Sequence, residues 1–283
     1  SIGAGALQFC SSLESVRLPD GVSEIANSLF SGCAALQSVV LPDGVVRIGQ
    51  SAFSGCSSLA EIELPEGMKS IGAGALQFCS SLESVRLPDG VSEIANSLFS
   101  GCVKLQKVAI PDSVTQIGNL AFSYCSSLGE IVLPSSVTAI GKNAFDYSVA
   151  LEIHVTGSGA QIKTRAFSNA TATVYIPDTA VVADYAFSGL QGTVVITCDT
   201  GKIPAYFLYS KNSTKSSGIV NLEIGNGITE IGTGAFAQCG DLARVTLPDT
   251  LEILGNNAFW WCTSLEEIKL CEGLKTVGAS CFN

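Results

Sequence analysis

Residues 36–58 read LQSVVLPDGVVRIGQSAFSGCSS, and Leu59 opens another copy of the same pattern. With its fixed positions alone the unit is LxxIxLPDGVxxIGxxAFxxCxx, carried here by Leu36, Val39, Leu41, Pro42, Asp43, Gly44, Val45, Ile48, Gly49, Ala52, Phe53 and Cys56. Prolines keep the period: Pro19, Pro42, Pro65, Pro88, Pro111 and Pro134 stand 23 apart, Pro177 and Pro248 fill the same slot, and Pro204 alone stands outside it. Residues 1–33 recur unchanged at 70–102, an offset of 69, or three units. The aromatic slot runs through Leu7, Phe30, Phe53, Leu76, Phe99, Phe122, Phe145, Phe167, Phe187, Phe207, Phe236, Phe259 and Phe282, at spacings of 23 to Phe145, then 22, 20, 20 and 29, then 23 twice. Regular units over 1–150 and 219–283 thus flank irregular ones over 151–218.

Within a unit, Leu36, Val39 and Leu41 alternate as a short strand with one buried face, and Pro-Asp-Gly after them is turn chemistry. A second extended piece, Val45 to Ile48, ends at Gly49, and the Ala-Phe-x-x-Cys segment is too short for more than a helical turn. A unit of 23 residues encloses no core by itself. Stacked units do, each Leu, Val, Ile, Phe and Cys lying above its copy in the next rung. With strands about 4.8 Å apart, about twelve rungs give an axis of roughly 60 Å. The reading is one solenoid domain over 1–283, α/β to mostly β, with turns or helical turns outside the strands.

Composition narrows the function. The chain has 283 residues, 47% hydrophobic and 14% charged, with 15 Lys and Arg against 25 Asp and Glu, a net charge of -10. That is enough chain for a sizeable core without disulfides. The acidic balance argues against nucleic-acid and anionic-membrane partners, which call for a basic face. No apolar run approaches the roughly 20 residues that span a bilayer, so membrane insertion by this segment is not expected.

The joint pattern of LP, IG, AF and C at fixed offsets over nearly the whole chain resembles the BspA-like class of leucine-rich repeats, found in surface proteins of gut and oral bacteria and in some parasitic protists. The resemblance implies a right-handed solenoid with a parallel sheet on its concave side, and a surface or secreted, adhesin-like role. The LP and Cys signatures lapse in places over 151–218, where the sequence departs from the family pattern. Both ends cut through a unit, which points to flanking segments or covering partners.

Chemistry-bearing residues are sparse. Of 11 cysteines, Cys10, Cys33, Cys56, Cys79, Cys102, Cys125, Cys239 and Cys262 share one slot, which Ser148 takes after Cys125; they read as a reduced packing column, because parallel Cβ vectors stay near the rung spacing rather than the ~3.8 Å a bridge prefers. Cys198, Cys271 and Cys281 lie off it. His154 is the only histidine, which removes two-histidine zinc sites and leaves a solvent-facing strand residue beside Glu152. Gly232-Thr-Gly234-Ala-Phe-Ala237 fits the letters of a dinucleotide loop, but no long helix follows it. Asp20, Asp43, Glu66, Asp89, Asp112, Asp178, Asp249 and Glu272 form an acidic row that reads as turn chemistry, with weak Ca²⁺ binding as the alternative; Ser135 breaks it. No catalytic residue, metal site or cofactor is expected.

Binding surfaces are better candidates, since each rung presents outward side chains at matching height. One outward slot carries Arg17, Val40, Glu63, Arg86, Ala109, Val132, His154, Tyr175, Glu223, Thr246 and Lys269. The slot two before it carries Ser15, Ser38, Glu61, Ser84, Lys107, Glu130, Glu152, Thr173, Asn221, Arg244 and Glu267. The segment 202–218, with Tyr206, Tyr209, Lys211 and Lys215, reads as an exposed insertion of about six residues, a common place for partner contacts. Trp260-Trp261 beside the aromatic slot reads as packing between turns. The function expected is non-enzymatic binding of a protein ligand, host matrix or plasma proteins among the candidates, through the sheet and this loop; a structural spacer is the alternative. Oligomeric state is left open.

Overall fold

The computed structural model describes residues 2–183, 185–208 and 218–283. Two rows of short strands run along it, every pairing parallel and set by the repeat, as Ser15 opposite Ser38, Ser84 opposite Lys107 and Arg244 opposite Glu267. The first row comes from the LxxIxLP stretch and has eleven strands among the described residues; the second comes from the residues before the IG glycine and has twelve, each two residues long. Alternating burial explains the first: in Ser38–Val40 only the central Val39 turns inward. In the rungs that keep the LP signature the strand ends where proline removes a donor, and the chain folds back through a turn in which the residue three past the proline donates to its carbonyl, as Val45 N to Pro42 O at 3.0 Å.

The first row is not continuous. Leu128–Leu133, Val149–Val155, Thr171–Pro177, Gln191–Thr197, Asn221–Ile224, Arg244–Thr246 and Glu267–Lys269 form one seven-stranded sheet. Ahead of it stand two two-stranded sheets, parted at Glu61–Glu63, where no strand forms. The irregular middle holds the longest strands. VALEIHV, TATVYIP and QGTVVIT are seven residues each and rich in β-branched residues, which suit a pleated, half-buried surface.

The outer arcs contain no helix among the described residues. Two residues per rung, four apart, take left-handed backbone: Ser28 and Gly32 have φ of 55° and 76°, Leu120 and Tyr124 57° and 59°. A right-handed helix cannot pass through such residues. Alternate amides instead bond within the arc and to the next rung, Ser31 N to Ser28 O at 3.1 Å but Phe30 N to Ala52 O at 2.8 Å. The IG glycine is fixed by close approach: a Cβ on Gly141 would lie 2.5 Å from the Gly118 carbonyl carbon of the preceding rung.

The core is a column of phenylalanines between the strand rows and the arcs. Phe99, Phe122, Phe145, Phe167 and Phe187 stack in sequence with centroids 5.0–5.4 Å apart, every ring fully buried. Such pairs contribute about 0.5–1.5 kcal/mol each beyond the area they bury. Phe207 does not belong to this column. Leu208 donates its amide to Ala235 O, as the aromatic-slot residue Phe122 does to Ala144 O, and Cys239 meets Leu208 O as Cys262 meets Phe236 O. Leu208 therefore holds the slot and Phe207 the alanine position, which explains the edge-on 80° contact of Phe207 with Phe236.

Candidate functional site

The seven-stranded sheet presents two outward slots, and parallel pairing stacks each slot into a line. Val132, His154, Tyr175, Val195 and Glu223 face one another rung by rung, and Glu130, Glu152, Thr173, Thr193 and Asn221 form the second line. The rung that supplies Val195 and Thr193 lacks the LP signature, so neither residue was in the rows read from sequence. Val195 is buried although its slot faces outward.

Where the lines cross rungs 128–133, 149–155 and 171–177, four side chains converge. His154 Nε2 lies 2.9 Å from Glu152 Oε2 and 3.6 Å from Glu130 Oε1. Tyr175 lays its ring on the imidazole, centroids 4.2 Å apart and planes 4° apart, and its hydroxyl donates to Glu152 Oε1 at 3.1 Å. Both oxygens of Glu152 are thus engaged, one by each ring. Hydrogen bonding to His154, then to Tyr175, lowers the Glu152 carboxyl below its ordinary 4.5. Tyr175 moves the other way, raised first by desolvation and then by its bond to Glu152. His154 is half-buried rather than fully solvent-facing, because Tyr175 covers one face of its ring.

The remaining sequence candidates lie elsewhere. Arg17, Glu63, Arg86 and Lys107 are exposed on the shorter sheets or the strandless rung between them, and Arg86 reaches Glu66 at 3.8 Å. Arg17, Glu63 and Arg86 stand two or more rungs before the central cluster, whereas Lys107 occupies the slot of Glu130 in the rung next to it. Tyr206 is 57% exposed at the near end of the inserted segment; Tyr209, Lys211 and Lys215 lie outside the described residues. Of the acidic turn row Asp178 alone is fully buried, where it accepts bonds from Thr200 N, Thr200 Oγ1 and Gly201 N at 3.0–3.2 Å. Among the described residues only Glu130, Glu152 and His154 gather three ligand-type side chains within metal-binding distance.

The cysteine column acquires a further role. Cys33, Cys56, Cys79, Cys102 and Cys125 each point the thiol at the carbonyl of the aromatic-slot residue one rung back, at 3.0–3.2 Å. The S–H donor adds a second bond to a carbonyl that already accepts an amide within its own arc, as Phe30 O accepts from Cys33 N at 3.0 Å. Desolvation pushes the thiols of Cys56 and Cys102 up to about 12 from 9.0. None of the eleven cysteines is in a disulfide. Beside this column the second left-handed slot holds glycine in some rungs, Asn169 and Gln238 in two others, and exposed aromatics at Phe9, Phe78, Tyr124, Tyr147 and Trp261. Trp261 stacks on Trp260 at 5.0 Å, and Tyr124 on Tyr147 at 5.1 Å.

A family profile described as a BspA type leucine rich repeat region matches in six copies, over residues 1–105, 52–174 and 181–283. No curated protein matches the chain. Among solved structures, a leucine-rich repeat protein from Bacteroides ovatus is 24% identical over 93% of this chain and 81% of its own, with a TM-score of 0.54, and shares the fold. A leucine rich cell surface protein from Faecalibacterium prausnitzii is 27% identical over 93% and 81% of the two chains, with a TM-score of 0.48. A pneumococcal vaccine antigen is 22% identical over 94% and 68%, also with a TM-score of 0.48.

Proposed function

We propose a protein-binding role for this chain, which belongs to the BspA type leucine-rich repeat family: it is a non-enzymatic module of a cell-surface or secreted protein that docks a protein ligand on the outward face of its seven-stranded sheet. The observation that carries the reading is the set of side chains on that face. His154 and Tyr175 are stacked, and both are hydrogen-bonded to Glu152, as a rigid aromatic anchor, with Glu130 and Glu223 near it and Arg244 and Lys269 farther along the same sheet. Aromatics already held in one rotamer lose little entropy on binding and are the usual centres of binding energy. Mixed charge around them favours a protein surface over a polyanion. The surface location follows the family resemblance, and host matrix or plasma proteins are the ligand class to try first.

Biolayer interferometry of the 1–283 chain against immobilised fibronectin and fibrinogen at physiological salt tests this. The expected result is saturable binding, weakened tenfold or more by Tyr175→Ala and less by deleting 209–217. Binding that is undiminished in Tyr175→Ala refutes the sheet as the docking face. No saturable binding to either protein overturns the matrix assignment and favours a spacer that holds a neighbouring domain outward.

A further inference from the structure

We propose that Glu130, Glu152 and His154 bind a first-row divalent metal ion, with Zn²⁺ the best match. This goes beyond the protein-binding reading and stands without it. A single ring nitrogen, His154 Nε2, faces two carboxylate oxygens, Glu152 Oε2 at 2.9 Å and Glu130 Oε1 at 3.6 Å. One hydrogen on that nitrogen serves one carboxylate and leaves the other carboxylate without a donor from the ring. A cation at the centre serves all three.

The distances suit that ion. Zinc holds nitrogen and oxygen ligands at about 2.0–2.2 Å, which places tetrahedral neighbours about 3.3–3.6 Å apart. The 3.6 Å separation from Glu130 lies at the upper edge of that range, the 2.9 Å separation from Glu152 is shorter and must open by a few tenths of an ångström, and all three ligand atoms lie within 4.8 Å of one another. The backbone fixes the spacing, because Glu130 and Glu152 are register partners on adjacent strands and His154 stands two residues along on the same face.

Orientation is fixed as well. The Tyr175 hydroxyl holds Glu152 Oε1, leaving Oε2 for the centre, and the Tyr175 ring prevents the imidazole from turning away. Partners of this kind around a ligand set typically change affinity about 10–100-fold. The imidazole selects against Ca²⁺ and Mg²⁺, which prefer all-oxygen shells. Three protein ligands leave a fourth position open toward the sheet face. Binding requires the lone pair of Nε2, so any proton on that nitrogen moves to Nδ1 or to solvent as the metal enters.

The test uses the chain's single histidine. Histidine-labelled protein, with the exposed thiol removed by Cys198→Ser, gives one imidazole spin system to follow by NMR during titration with Zn²⁺. The expected result is a shift or broadening that saturates at one equivalent and is not produced by Ca²⁺ or Mg²⁺. Glu130→Gln should weaken it at least tenfold, and Tyr175→Phe, which keeps the stack, about tenfold. A Glu130→Gln chain with an unchanged urea midpoint but intact zinc affinity overturns the site, as does an imidazole unmoved by millimolar Zn²⁺. Loss of ligand binding in the interferometry assay leaves this outcome untouched, so the two readings fail separately.

Discussion

At pH 8 the buried thiols of the cysteine column should be almost inert while the chain is folded. Alkylation requires the thiolate. A thiol at the ordinary value of 9.0 is roughly one-tenth ionised at pH 8, whereas one at about 12, as for Cys56, Cys102 and Cys262, is ionised roughly once in 10⁴. The difference is about a thousandfold in rate before any steric exclusion is counted. Iodoacetamide labelling read by mass spectrometry should therefore modify exposed Cys198 first and Cys56 and Cys102 only on unfolding. Labelling of Cys56 or Cys102 within tenfold of Cys198 in the folded chain would refute the argument that these thiols are desolvated donors. The same shifts tie stability to alkaline pH. Folding raises these pKa values, so the stabilisation is complete below pH 9.0, the unfolded value, and is lost as pH climbs toward about 12. The urea midpoint should accordingly fall between pH 9 and 11, and a Cys102→Ala chain should fall less steeply.

Three further outcomes follow from the packing. Phe122→Ala removes a buried ring stacked on Phe99 and Phe145 and should cost about 3–5 kcal/mol in urea unfolding, with the loss centred on its own rungs. Asp178→Ala removes the shared acceptor of the Thr200 and Gly201 amides and should cost about 1–3 kcal/mol; Asp178→Asn, which keeps an acceptor, should cost less by the same measurement. Gln238→Gly should stabilise the chain by about 1 kcal/mol, because Gln238 sits at φ 62° and its buried Oε1 has no partner among the described residues; an unchanged or lower melting temperature would count against both costs.

The repeat alone determined everything in which a residue meets its own copy. Phe30 lies on Phe53 and Cys102 points at the rung below because positions one unit apart fall one above the other in a parallel stack, so the period, the prolines and the alternation of Leu36, Val39 and Leu41 suffice to predict two strand rows, the turns and the phenylalanine and cysteine columns. Where unlike residues meet, the period has no bearing. The letters AYFL could not decide whether Phe207 or Leu208 fills the aromatic slot; hydrogen bonding to the next rung decided it. Thr193 and Val195 were missing from the outward rows because their rung has no turn signature to align them, yet pairing with both neighbours places them. The left-handed arcs were hidden because their slots hold Gly, Phe, Tyr, Trp and Gln alike, their geometry being imposed by alternate hydrogen bonds rather than by side-chain preference. Sequence placed Glu130, Glu152, His154 and Tyr175 in the right outward slots. Only the packed sheet shows them turning toward one another, since side-chain rotamers across three strands depend on which unlike neighbours the stack brings together.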